Sequence, residues 1–131
     1  MRARQAKPLI MVVEPDVLVR MVISNHLRGC GYQVIEGAVA QDVHAALAGG
    51  MQLDCVFVEV QLPGTEDGFT LAKRLRQTYP HVDVILTTGI GSAAERSIEL
   101  CEQNGIVRKP YQARDIEARI RSLLERRKSL K

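Results

Sequence analysis

Tryptophan is absent from this 131-residue chain, and phenylalanine and tyrosine together supply only 4% of it. With so few flat rings to stack on bases, and no recognisable nucleic-acid motif, sequence-specific binding of DNA or RNA has little to work with. Cysteine is nearly as sparse. Cys30, Cys55 and Cys101 are odd in number and lie at least 25 residues apart. That spacing excludes a fully paired disulfide framework and a Cys-x-x-Cys metal or redox motif. They read as buried free thiols in a reducing compartment, so a cytoplasmic location is expected. Long apolar runs are missing too, since no stretch approaches the roughly 18 residues that span a bilayer. The basic start leads only into Leu9 to Val13 with no small-residue cleavage site behind it, which argues against secretion.

Signatures of independent catalysis are equally scarce. His26, His44 and His81 fall in separate elements without metal-ligand spacing or a neighbouring nucleophile, and each reads as an ordinary helix or surface residue. Gly89-Ile-Gly91 is too short for a nucleotide-binding loop. An enzyme is therefore not expected.

What is present suits one soluble domain with its own core: 46% apolar and 25% charged residues. The net charge of +3 hides a polarity. Residues 1–8 carry three basic and no acidic side chains, residues 9–107 six and twelve, and residues 108–131 nine and three. Basic ends around an acidic middle leave open a nucleic-acid-associated basic module, alongside binding to an acidic protein.

The chain is organised around Asp54 to Gly64. Cys55 to Val58 are continuously apolar, Glu59 adds one carboxylate, and Pro63-Gly64 forces a turn. Apolar character without alternation marks a strand buried on both faces of a parallel sheet. Four similar runs flank it: Leu9–Val13, Tyr32–Ile35, Val82–Thr87 and Gly105–Arg108. Helices are expected between them. Asp16 caps the first, whose apolar face is Leu18, Met21, Val22 and Leu27; Val39–Leu47 is the second; Asp67-Gly68 launches the third, with Phe69, Ala72 and Leu75 inward. Ala93–Glu102 is the fourth, and the last starts at Tyr111 or Gln112 and turns Ile116, Ile120, Leu123 and Leu124 to the core. The order βαβαβαβαβα with short connections gives a three-layer α/β/α domain over residues 9–128, behind a flexible basic arm at 1–8.

In such a sheet the strand ends converge on one edge. Glu14 and Asp16 follow the first strand, Glu59 the third, Thr87-Thr88 the fourth, and Lys109-Pro110 the fifth. Asp54 precedes its strand and belongs to the opposite edge. Carboxylates facing a lysine are the parts that hold Mg²⁺ and a phosphoryl group.

Those motifs resemble a bacterial two-component response-regulator receiver domain. Val12-Val-Glu-Pro-Asp16 takes the place of its acidic pair, Asp54 through Leu-Pro-Gly64 its central segment, Thr88-Gly89 its hydroxyl position with Thr87 one register away, and Arg108-Lys-Pro-Tyr111 its last motif. The resemblance implies a flavodoxin-like (βα)5 fold with five parallel strands in order 2-1-3-4-5. It also implies a histidine kinase or another two-component regulator as partner. A homodimer would form through the face of the fourth helix, fifth strand and fifth helix, about residues 93–120.

Three departures alter the functional expectation. Glu59 stands at the phosphoacceptor position, one methylene longer than the aspartate expected there. Pro15 replaces the acid that helps bind Mg²⁺, so Glu14 and Asp16 are left as the acidic pocket and no cofactor is expected. Ile106 takes the place of the aromatic that reports switching. Lys109 then reads as an ion-pair partner of Glu59 holding the last loop. The expectation is a stand-alone pseudo-receiver that acts by protein contact, independent of phosphorylation. A conventional phosphorelay receiver that takes phosphate from a histidine kinase is the alternative.

Overall fold

All five residues of the central run are buried, and they form the middle strand of a parallel sheet, β3 (Cys55–Glu59). The computed structural model describes residues 7–88, 106–108 and 112–129, and for residues 88, 106–108, 128 and 129 it describes the backbone alone. In chain order the elements are β1 (Leu9–Val13), α1 (Val17–Gly29), β2 (Gln33–Gly37), α2 (Ala40–Ala48), β3, α3 (Gly68–Thr78), β4 (Asp83–Thr88), β5 (Ile106–Arg108) and α4 (Ala113–Ser129). The strands lie in the order β2-β1-β3-β4-β5, every neighbouring pair parallel. The helix expected over Ala93–Glu102 and the Lys109-Pro110 motif lie outside the described residues, as do the first six residues of the expected arm.

Alternation along the strands divides the core in two. Met11, Val13, Val56, Val58, Val84 and Leu86 face one side, where Val43 and Leu47 of α2 and Phe69, Ala72 and Leu75 of α3 cover them. Ile10, Val12, Cys55, Phe57 and Ile85 face the other, under Ile23 and Leu27 of α1 and Ile116, Ile120 and Leu123 of α4. The result is a parallel α/β sandwich of three layers.

Local chemistry starts the first three helices, two of them at the residues the sequence signals, Asp16 and Asp67. Asp16 Oδ1 accepts from the N–H groups of Leu18 and Val19 at 2.9 and 3.2 Å, and Asp67 Oδ1 accepts from Thr70 N–H at 2.8 Å. In α2, Asp42 Oδ2 reaches back to Ala38 and Val39 N–H at 2.8 and 3.1 Å. These bonds satisfy donors that a helix start leaves without partners.

Two expectations are corrected. Leu18, Met21 and Val22 do not join the core with Leu27; they are 73%, 48% and 62% exposed, and the inward residues of α1 are Ile23, Ser24 and Leu27. Apolar residues surround the first turns of this helix, so periodicity alone fits two stripes. Arg20 fixes the phase by donating to the Glu14 carbonyl at 2.7 Å and pairing with Glu36 at 3.4 Å. The thiols also differ from the expected uniform burial. Cys55 is buried, and burial followed by the nearby Asp83 carboxylate pushes its pKa up, whereas Cys30 is exposed just past α1.

Candidate functional site

The carboxyl edge of the sheet is set by register. Glu59 at the end of β3 pairs with Thr87 of β4, and Thr88 of β4 pairs with Arg108 of β5. Glu14 follows β1 directly, its N–H donating to the carbonyl of Gly37 at 3.0 Å. Two buried carboxylates therefore stand on this edge, Glu14 at 2% and Glu59 at 8% exposure.

Their oxygens have local partners. Glu59 Oε2 accepts from the N–H of Val60 at 2.9 Å and from Thr87 Oγ1 at 3.3 Å. Val60 N–H also donates to the Thr87 carbonyl at 2.9 Å, so the acid is folded back over the strand end. Glu14 Oε2 accepts from Asp16 N–H at 3.0 Å, while Asp16 Oδ1 caps α1. Pro15 between them offers neither a side-chain ligand nor an N–H.

This donor set does not fit the Mg²⁺ that such an edge holds in an acid-rich site. One acid bonds the adjacent backbone, one caps a helix, and the residue between them is proline. Among the described residues no group of three or more His, Cys, Asp and Glu side chains is placed to hold a metal ion.

Of the residues singled out in the sequence, Glu14, Asp16 and Glu59 are gathered on this edge. The Thr87 hydroxyl donates to Glu59; for Thr88 and Ile106 the backbone alone is described, and Lys109 lies outside the described residues. Asp54 sits on the opposite edge, its Oδ2 accepting from Leu9 N–H at 2.8 Å.

The loop that follows Glu59 is anchored by a cluster the sequence did not disclose. His44 Nε2 of α2 lies 2.9 and 3.1 Å from the two oxygens of Glu66, and Arg74 Nη1 of α3 lies 3.1 Å from the first of them. Separations of 22 and 8 residues carry no periodic signal. Glycine completes the path: Gly64 turns with φ +98°, and a Cβ on Gly68 would meet the Glu59 carbonyl oxygen at 2.6 Å. A cleft of about 250 Å³ lies between this loop and the start of α2.

A five-stranded parallel sheet under paired helix layers, with acids at its carboxyl edge, defines a receiver-type α/β domain. The chain belongs to the response regulator receiver domain family, whose sequence pattern matches residues 10–121. It is 32% identical over 124 residues to the transcriptional regulatory protein AruR of Pseudomonas aeruginosa, covering 91% of this chain and 50% of that protein. It is 30% identical over 125 residues to the probable transcriptional regulator ycf27 of Cyanophora paradoxa, covering 92% and 49%. The chain thus spans about half the length of these curated relatives. Among solved structures it resembles the signal receiver domain of an HD domain-containing protein from Pseudomonas fluorescens Pf-5. That match has 25% identity and a TM-score of 0.85, covering 95% of this chain and 99% of the other. Membership of this family makes the chain a signalling module rather than an enzyme. No helix among the described residues is long and apolar enough to cross a membrane.

Proposed function

We propose that this receiver module signals by protein contact without passing phosphate through residue 59. The observation that carries this reading is the buried Glu59 carboxylate, bonded to Val60 N–H and the Thr87 hydroxyl and flanked by Pro15 where a metal-binding acid is needed. The extra methylene displaces the nucleophilic oxygen by about an ångström relative to aspartate, a misplacement that costs about a hundredfold in rate. Partners on this reading are a histidine kinase or another two-component regulator. The surface around residues 93–120 is the proposed partner and homodimer face, with Arg114 and Arg121 exposed on α4. An acidic partner would then associate with a salt-sensitive on-rate.

Kinship favours a second reading. The curated relatives are named as transcriptional regulators, which fits a conventional phosphorelay receiver taking phosphate from a histidine kinase. Incubation with acetyl phosphate and Mg²⁺, followed by rapid intact-mass measurement near neutral pH, separates the two. No adduct is expected. A stoichiometric, Mg²⁺-dependent acyl phosphate on Glu59 would overturn the first reading in favour of the second.

A further inference from the structure

The last turn of α1 carries two side chains of the types that ligate metals. His26 and Cys30 stand four residues apart, which puts them on one face of the helix. The helical path runs on through the cap: Cys30 has φ −86° and ψ 1°, and its N–H donates to the His26 carbonyl at 3.1 Å. Gly31 then turns the chain away at φ +97°, a conformation that suits glycine, and the thiol is left exposed. Cys30 Sγ lies 3.6 Å from His26 Nε2.

That separation has a chemical meaning. A tetrahedral Zn²⁺, with Zn–S about 2.3 Å and Zn–N about 2.0–2.1 Å, holds its sulfur and nitrogen about 3.6 Å apart. The two side chains therefore already span one edge of the tetrahedron. The carboxyl end of a helix also carries partial negative charge, which favours a cation there. Arg28, the arginine of this turn, is held instead on the Val34 carbonyl at 3.2 Å and on Glu36 at 3.0 Å. By contrast, His44 is engaged by Glu66, which also holds Arg74, and the His81 ring meets Tyr79 edge-on.

We infer that His26 and Cys30 form a bidentate site for a thiophilic divalent cation of the Zn²⁺ class. On binding, the S–H bond of Cys30 gives way to a metal–sulfur bond and the proton leaves to solvent, while His26 binds as neutral imidazole through Nε2. No third His, Cys, Asp or Glu among the described residues joins the pair. Glu117 of α4, for one, accepts from Tyr32 Oη at 2.9 Å and from Arg121 at 3.0 Å. Two positions on the ion are thus left to water or to the same pair of a second chain. Because α1 returns from the carboxyl end of β1 to the amino end of β2, the site lies on the opposite side of the sheet from Glu59. It operates whether or not residue 59 takes phosphate.

Titration of the full chain with Co²⁺, under a non-thiol reductant, tests this. In a Cys101→Ser background, which leaves Cys30 and the buried Cys55 as the thiols, Co²⁺ is expected to give a thiolate-to-metal absorption band that Zn²⁺ abolishes by displacement. Cys30→Ser and His26→Gln are each expected to weaken Zn²⁺ binding about a hundredfold, at least what losing an outer-shell partner costs. Both changes lie at the surface end of α1, so circular dichroism should match the parent. Calorimetry then gives the ratio. One ion per chain assigns the open positions to water, and one per two chains assigns them to a second copy; either ratio supports the site. Absence of a thiolate band overturns the inference. So does a His26→Gln chain that binds Zn²⁺ as tightly as its parent, which would mean an adventitious ion on the thiol only.

Discussion

On the proposed reading, a single methylene at position 59 separates two functions. An aspartate there with an acid at 15 has the parts for metal-assisted acyl phosphorylation, whereas Glu59 with Pro15 bonds its own strand end. Restoring one part without the other leaves either a misplaced nucleophile or no metal ligand. Glu59→Asp and Pro15→Asp are therefore expected to remain unmodified singly, and the double variant to take up phosphate from acetyl phosphate with Mg²⁺, read by intact mass. Ser24 is a second residue whose side chain has a testable cost. It is fully buried on α1, and its hydroxyl has no hydrogen-bond partner among the described residues. Burying an unpaired hydroxyl is unfavourable, and alanine is the better helix former, so Ser24→Ala is expected to stabilise the fold by about 1 kcal/mol in urea titrations.

Elements carry the next level of control, and the loop from β3 to α3 shows it. Its path is pinned where His44 and Arg74 meet Glu66, whose side chain is 15% exposed. Glu66→Ala removes the acceptor for both and is expected to destabilise the chain by about 1–2 kcal/mol, with faster amide exchange across residues 60–67 by mass spectrometry. Unchanged exchange there would mean that Gly64 and Gly68 fix the loop without the cluster. Elements also differ in how far the sequence discloses them. The run from Cys55 to Val58 reads as a strand buried on both faces, which is what it forms, and the acids on the edge followed from strand order. The phase of α1 was not legible, since Val17, Leu18, Val19, Met21, Val22 and Ile23 offer two apolar stripes and only the Arg20 contacts choose between them. Likewise the pairing of Glu59 with Thr87 rests on a one-residue register that only strand pairing fixes.

For the whole molecule both sheet edges gather carboxylates. At the carboxyl edge the buried Glu14 and Glu59 accept from backbone N–H groups and from the Thr87 hydroxyl. At the amino edge Asp83 lies beside Arg127, whose Nη1 is 3.5 Å from its Oδ2 and 4.0 Å from Asp54 Oδ1, and donates to the Asp54 carbonyl at 3.2 Å. Burial raises the pKa of Asp83, and Arg127, then Arg126, offset this only in part, with Asp54 adding to the rise. A carboxyl whose folded pKa exceeds its unfolded one binds more protons in the native state. Its contribution to stability is therefore greatest below the unfolded value, near pH 4, and is lost as pH climbs through the folded value. Asp83→Asn removes that loss while keeping the shape, and Arg127 retains the Asp54 carbonyl. The variant is expected to be more stable than wild type at pH 7, with the difference shrinking as pH falls toward 4. Urea unfolding at several pH values reads this directly. A variant less stable than wild type at pH 7 would mean that the Arg127 ion pair outweighs the cost of burying the charge, so that the amino edge is clamped by its charges.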